Sequence, residues 1–536
     1  TNVQEQGVDE PDIVKTDGRR AFLVAGGRVL AYDISGDTPA LRGAITVGGT
    51  PQELLLRGER LLVIGATQSQ GPLAVDARVM AMPYVSRTQL TEVSVKDPAA
   101  MAVSRTLTVD GQYVSGRLTG GSARIVLNTP PDLAVPEPRP LDAFVPETTI
   151  VSNISRRTFK RRLVTCDDVS RPAAYSGLDL LTVMTIDLDR GLYSVDRDAV
   201  IAGAQVVYAS QTGLYVASQR YVPSLDSPAD VPARMTTEIH RFDTSRPDRT
   251  TYRSSGSVPG FVLNQFALSE HADALRVAST EEPLWFGGAQ QRDSESSISV
   301  LREQGSKLVT VGRLGGLGKG ERIYAARFTG DAGYLVTFRQ VDPLYTLDLS
   351  DPRSPKAVGE LKIAGYSAYL HPVGEGLLLG VGQDATEAGI RKGPQVSLFD
   401  VSSPAAPKRL HQRVLGDQGA STEAEWDHHA FLWWAPERLA VLPLRQHALE
   451  STTGPVPAPV ARAAAAPPFA GAVGLRVERS GISEAGRASH GTDADAAVVR
   501  RSLVAGGRLV TLSDRGIAAH RLSDLSTLGF AAFPAG

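Results

Sequence analysis

Two short stretches of this 536-residue chain bring acids and imidazoles together. Asp9, Glu10 and Asp12 lie near its start, and Glu423, Glu425, Asp427, His428 and His429 lie within seven positions of one another further along. Crowded carboxylates repel one another, and a hard cation relieves that repulsion. Calcium accepts oxygen ligands in irregular geometry, so it is the candidate ion, with Asp9, Glu10, Asp12, Glu425, Asp427 and His428 as its candidate ligands. The adjacent His428 and His429 suit a transition metal instead. Acids, imidazole and a metal are also the parts of a metal-assisted hydrolase or lyase. The competing account needs no ion: the acids pair with Arg322, Arg500 and Arg501 and satisfy buried backbone groups.

Other side chains near these stretches point to binding. Trp426 stands beside Asp427, and an indole there offers a stacking surface for a sugar or peptide. Tyr366, Tyr369 and His371, with Trp426, His429, Arg322 and Arg500, complete the candidate binding face. His371, just before Pro372, also reads as a hydrogen-bonded structural histidine. Gly315-Gly316-Leu317-Gly318-Lys319-Gly320 imitates a phosphate loop, but Gly320 stands where Ser or Thr must hold magnesium, and Arg313 replaces the first Gly. No His-Glu-x-x-His or Gly-x-Ser-x-Gly occurs. Cys166 is the single cysteine, which excludes an internal disulfide and a Cys-type zinc site.

The elements that must position these residues are repeated. Phe22-Leu23-Val24-Ala25 is followed by Val29-Leu30-Ala31-Tyr32-Asp33-Ile34-Ser35. Tyr334-Leu335-Val336-Thr337-Phe338 precedes Leu344-Tyr345-Thr346-Leu347-Asp348-Leu349-Ser350, and Leu377-Leu378-Leu379-Gly380-Val381 precedes Val396-Ser397-Leu398-Phe399-Asp400-Val401-Ser402. Alternation, β-branched residues and Gly/Asp/Pro punctuation make these strands. With a strand before and after each pair, a unit has four. The aspartates ending the third strands have a local use, because Asp and Ser side chains bond nearby backbone N–H groups in turns. Nine hairpins of this kind centre near residues 22, 61, 124, 214, 275, 334, 377, 439 and 509, those near 124 and 439 being the weakest. Tandem four-stranded units close into a ring that protects their edges. The expectation is an all-β chain forming a single β-propeller over 1–536, of eight or nine blades.

Extra residues near 67–87, 130–177, 219–236, 282–296, 384–394 and 445–470 fall between the second and third strands of a unit. Those loops leave the same face as the segments entering the innermost strands, so the elaborations decorate one face, where a protein, peptide or glycan partner binds. Hydrophobic residues at 42% and charged residues at 21% are those of a globular protein, and a net charge of -2 supplies no basic field for nucleic acid. No apolar run is long enough to span a bilayer. The chain opens at Thr1 rather than Met, as trimming of a leader or anchor would leave it.

Thr1-Asn2-Val3-Gln4-Glu5-Gln6-Gly7-Val8-Asp9-Glu10-Pro11-Asp12-Ile13-Val14-Lys15-Thr16-Asp17-Gly18 resembles the hallmark of a prokaryotic family of secreted β-propeller proteins distantly related to WD-40 repeats. Asn264-Gln265-Phe266-Ala267-Leu268-Ser269-Glu270-His271, Gly365-Tyr366-Ser367-Ala368-Tyr369-Leu370-His371-Pro372 and Asp427-His428-His429-Ala430-Phe431-Leu432 also resemble its blocks. The resemblance implies a propeller in a secreted or cell-envelope setting, with a membrane tether outside the given sequence, and it implies no particular reaction. The functional expectation is therefore a monomeric, non-catalytic binding propeller, with the metal-assisted hydrolase or lyase as the alternative.

Overall fold

The computed structural model describes residues 2–70, 84–131, 145–193, 195–222, 234–282, 293–338, 342–386, 390–447, 467–491 and 496–534. Part of each expected insertion therefore lies outside the described residues, at 71–83, 132–144, 223–233, 283–292, 387–389 and 448–466. Among the described residues there is no α-helix, only strands and short 3₁₀ turns.

Among the described residues the strands form eight mainly antiparallel sheets of four to eight strands. In chain order they divide into the stretches 14–46, 50–110, 112–201, 206–259, 268–317, 322–363, 366–414, 420–488 and 499–532, here units 1 to 9, of which units 4 and 5 share one eight-stranded sheet. The expected hairpins near 124 and 439 both belong to complete units. Units 4 and 5 also touch through their outermost strands, where Ser255 pairs with Lys307.

Middle strands are sandwiched between neighbouring units and read as near-continuous apolar runs, as in the buried strand Leu377–Ala385. Outermost strands such as Ala40–Thr46 are covered far less and carry polar residues. The cores lie between units. Phe22 and Val29 of unit 1 pack on Leu61 and Val63 of unit 2, and comparable clusters join each following pair. Leu503, Val510 and Ile517 of unit 9 pack on Leu23, Leu30 and Tyr32 of unit 1. The units thus form a closed ring, sealed by side-chain packing rather than by a strand shared between first and last units.

The turn aspartates act as their spacing implies. Asp33 Oδ1 accepts from Ser35 N at 3.0 Å and Ser35 Oγ at 2.6 Å, and Asp348 with Ser350 and Asp400 with Ser402 repeat the pattern. Geometry requires a glycine at position 365. Gly365 opens the inner strand of unit 7 with φ of +85°, and a Cβ there would lie 2.4 Å from Gln383 O.

The insertion within unit 3 contributes paired strands. Its hairpin, Glu147–Ser152 with Arg157–Arg162, adds to the outer strand of unit 2 instead of its own unit. The exposed edge carries Arg157, Lys160, Arg161 and Arg162, charges that block edge-to-edge association.

Candidate ligand and metal site at the channel mouth

Unit 8 departs from the pattern where the chemistry gathers. Its inner strand is broken into Ala420–Ser421 and Leu432–Trp434, both pairing with Leu439–Gln446. The residues between them form two 3₁₀ turns, Glu423–Glu425 and His428–Ala430. Local capping dictates the break. Thr422 accepts a bond from Ala424 N at 3.4 Å, and Asp427 accepts one from His429 N at 3.0 Å. A similar turn, Gln265–Ala267 capped by Asn264, precedes the inner strand of unit 5.

Residues 2–12 run along the ring's centre, against the inner edges of seven units. Asn2 Nδ2 donates to Phe431 O at 3.2 Å, and Gln4 Nε2 donates to Gln265 O and Leu268 O at 3.0 Å each. Arg327 donates to Gln4 O, and Tyr208 Oη donates to Glu5 Oε1 at 2.9 Å. Val8 and Asp9 pair with Thr119 and Leu118 of unit 3, Asp12 bridges Leu54 of unit 2, and its carboxylate meets Arg501 of unit 9. The segment fills the channel with the protein's own polar groups.

This threading separates the six candidate metal ligands. Asp9 turns to Lys15 Nζ at 2.7 Å, on the opposite side of the extended chain from Glu10. Asp12 Oδ1 lies 2.8 Å from Arg501 Nε, and Asp427 Oδ2 lies 2.6 Å from Arg501 Nη2. Glu423 adds a third contact to Arg501 at 3.2 Å and lies 3.6 Å from Arg500. Glu425 accepts from Gln383 Nε2 at 2.5 Å, and burial raises its pKa. Glu10 and His428 do come together, with Glu10 Oε2 2.7 Å from His428 Nε2. His429 Nε2 lies 3.3 Å from the same oxygen, and the His429 ring is held from behind by Asp427 Oδ1, 3.1 Å from Nδ1.

Burial favours the neutral form of Glu10, which is only 4% exposed, but Arg117 and the two imidazoles outweigh it and hold the carboxyl well below its ordinary range. Burial likewise opposes ionisation of Asp427, yet the His429 bond and Arg501 keep its pKa low. The two histidines diverge. Burial pushes His428 down, whereas in His429 the contacts with Asp427 and Glu10 overcome burial and raise the pKa to about 10.

Above this cluster a cavity of about 350 Å³ opens, lined by residues including Ser115, Asn264, Tyr369, Glu425, Trp426 and His428. These belong to the starts of inner strands or the turns before them, so the cavity lies on the face from which second-to-third-strand loops also emerge. Trp426 is 71% exposed at its rim, joined by the half-exposed Leu263.

The remaining candidate binding residues are placed differently. Tyr366 is buried against Tyr324 and Phe338, near Glu425, and burial lifts its pKa to about 12. Tyr369 forms part of the cavity wall, but its ring packs on Phe266 and Phe431, and its hydroxyl meets His371 Nδ1 at 3.0 Å. His371 is buried and held neutral, with a pKa near 3. Arg322 stacks on Tyr324 rather than pairing with the mouth acids, while Arg500 stays near Glu423 and Asp514. Sequence reasoning missed Arg117, which is buried in unit 3 and donates to Gln265 Oε1 at 2.7 Å, and Lys15, the partner of Asp9. A cation interrupting an apolar inner strand was the available signal.

Comparison with known proteins places these features in a family. The chain is 29% identical over 528 residues to an uncharacterised protein of Archaeoglobus fulgidus, covering 83% of this chain and 75% of that protein. It is 43% identical over 194 residues to an uncharacterised protein of Methanocaldococcus jannaschii, covering 36% of this chain and 29% of the relative. Among solved structures, a chain of the crystal structure of the mitotic checkpoint complex aligns with 63% of this chain and 82% of its own length, at 14% identity and a TM-score of 0.31. The family model for the beta propeller domain matches residues 1–525, and the chain belongs to that family.

Proposed function

We propose that this propeller is a non-catalytic binding protein that holds a protein, peptide or glycan at the mouth cavity. The observation that carries this reading is the exposed Trp426 at the rim of a cavity whose lining includes Gln265 and His428, both bonded to Glu10. The acids below are already engaged by Arg501, Lys15 and Gln383, which favours a fixed, preorganised surface over a set of free acids and bases. Each four-stranded unit is read as one blade, giving nine, and the unbroken succession of inter-unit cores supports that count. We place the protein outside the cytoplasm as a monomer with a tether beyond the given sequence, on the resemblance of its opening motif. None of the helices among the described residues is long and apolar enough to cross a membrane.

Arrays of peptides and of glycans, probed with wild type and Trp426→Ala, test the proposal. The expected result is saturable binding of one ligand class, weakened at least tenfold in the variant and without chemical change of the ligand. Binding that ignores Trp426, or no binding on either array, would overturn it. The second reading is the metal-assisted hydrolase or lyase, favoured by His428, which belongs both to the cavity lining and to the Glu10 cluster. Release of a product from a bound ligand would select it.

A further inference from the structure

We infer that Glu10, His428 and His429 form a binding site for one divalent transition-metal ion, with zinc as the best fit. This goes beyond the ligand-binding reading and does not depend on it. Glu10 Oε2 and the two Nε2 atoms lie within 4.8 Å of one another. Around a tetrahedral zinc, with bonds of about 2.0–2.2 Å, such donors stand about 3.3 Å apart. The Glu10–His429 separation is 3.3 Å already, and the Glu10–His428 separation of 2.7 Å needs only a small opening.

The outer partners are those that metal-binding imidazoles and carboxylates need. Asp427 Oδ1 lies 3.1 Å from His429 Nδ1, leaving Nε2 aimed at Glu10, and Asp427 is itself fixed by Arg501 at 2.6 Å. Gln265 Nε2 donates to both Glu10 oxygens, at 3.0 Å to Oε1 and 3.2 Å to Oε2, and so fixes the carboxylate whose Oε2 faces the two imidazoles. Phe266 packs edge-on against His428, with ring centroids 4.9 Å apart, and fixes that ring. Among the described residues, His429 Nε2 is a buried nitrogen without an aligned hydrogen-bond partner.

One carboxylate oxygen and two imidazole nitrogens suit zinc and its neighbours better than calcium, which requires six to eight oxygens. Arg117 contributes a nearby positive charge, but Asp12 and Asp427 beside the cluster offset it. His428 also lines the mouth cavity, so water or a ligand atom can reach a remaining coordination position.

The test is a titration of chelator-stripped full-length protein with cobalt chloride, read by its visible absorption, followed by displacement with zinc chloride. Wild type is expected to bind one equivalent of each. His429→Asn and Glu10→Gln are expected to lose at least tenfold in affinity, and Asp427→Asn about tenfold. Asp348→Ala, in a turn remote from the cluster, keeps full binding. Circular dichroism checks that the variants fold, and the wild-type stoichiometry decides even where the buried Glu10 variant does not. No stoichiometric uptake by wild type, or equal affinity in His429→Asn, overturns the inference. A metal-loaded protein that captures no ligand would leave this site standing while sinking the ligand-binding reading, and a metal-free protein with a working cavity would do the reverse.

Discussion

Acids hold two regions of this molecule in opposite ways. At the turns after third strands, Asp33, Asp348 and Asp400 are partly exposed and bond a serine two positions on. Their carboxyls titrate low chiefly because of side-chain bonds from Ser35, Ser350 and, for Asp400, Arg479 and Ser402, with Asp33 brought down to about 2. At the channel, Glu10 and Asp427 are charged against the pull of burial, Glu10 through Arg117 and the two histidines of distant units, Asp427 through its neighbour His429 and Arg501 of unit 9. The turn acid is replaceable, because water waits to solvate whatever it leaves. The channel acid is not, because removing its partner strands a charge away from water.

The sharpest way to break this contrast is to remove the shared cation. Arg501→Met is expected to cost about 3–5 kcal/mol in denaturant unfolding, since it strands Asp12 and Asp427 together. Adding Asp427→Asn should recover part of that loss, and strict additivity in the double-mutant cycle would count against a shared cation.

Acid titration should separate buried groups from turns by pH. His240, His490 and His520 are buried and depressed from 6.5 to about 4. As pH falls through 6.5 the unfolded chain takes up these protons first, so stability should be intact above 6.5, fall towards pH 4 and then level for these groups. The Asp33 contribution is present above its unfolded pKa of 3.8 and disappears only as pH falls towards about 2. Unfolding midpoints in a pH series read both steps, and His520→Gln should shrink only the first.

Smaller effects complete the order. Asp348→Ala, which loses one local turn bond set, is expected to cost about 1 kcal/mol or less in the same assay. Trp426→Ala should stay within about 0.5 kcal/mol of wild type, since it removes exposed surface only.

The same contrast explains what was legible in sequence. The strand pairs and their Asp-x-Ser ends depend on neighbours, so Leu377–Ala385 and the Asp400–Ser402 turn could be read directly. The mouth was half legible. Acids and histidines announced a charged centre, but Glu10 meets His428 across 418 positions and Asp12 meets Arg501 across 489. Local pattern cannot choose which acid takes an arginine and which takes an imidazole. Nor does composition reveal that Asp9 and Glu10 point to opposite sides of one extended segment, which dismantles the six-ligand set. The broken inner strand of unit 8 made the hairpin near 439 look weak, although its caps, Thr422 and Asp427, stood in the sequence.

The central segment also sets an order in time. Residues 2–12 are synthesised before any unit exists, yet Asn2 waits for Phe431 and Asp12 for Arg501. Contacts of such separation form late, after local hairpins. This stretch, made before the ring, is thus among the last parts to settle, and its docking reports that the whole ring has been built. A ribosome-held chain ending before residue 501 should keep this stretch open to a protease, and the finished chain should close it in one cooperative step.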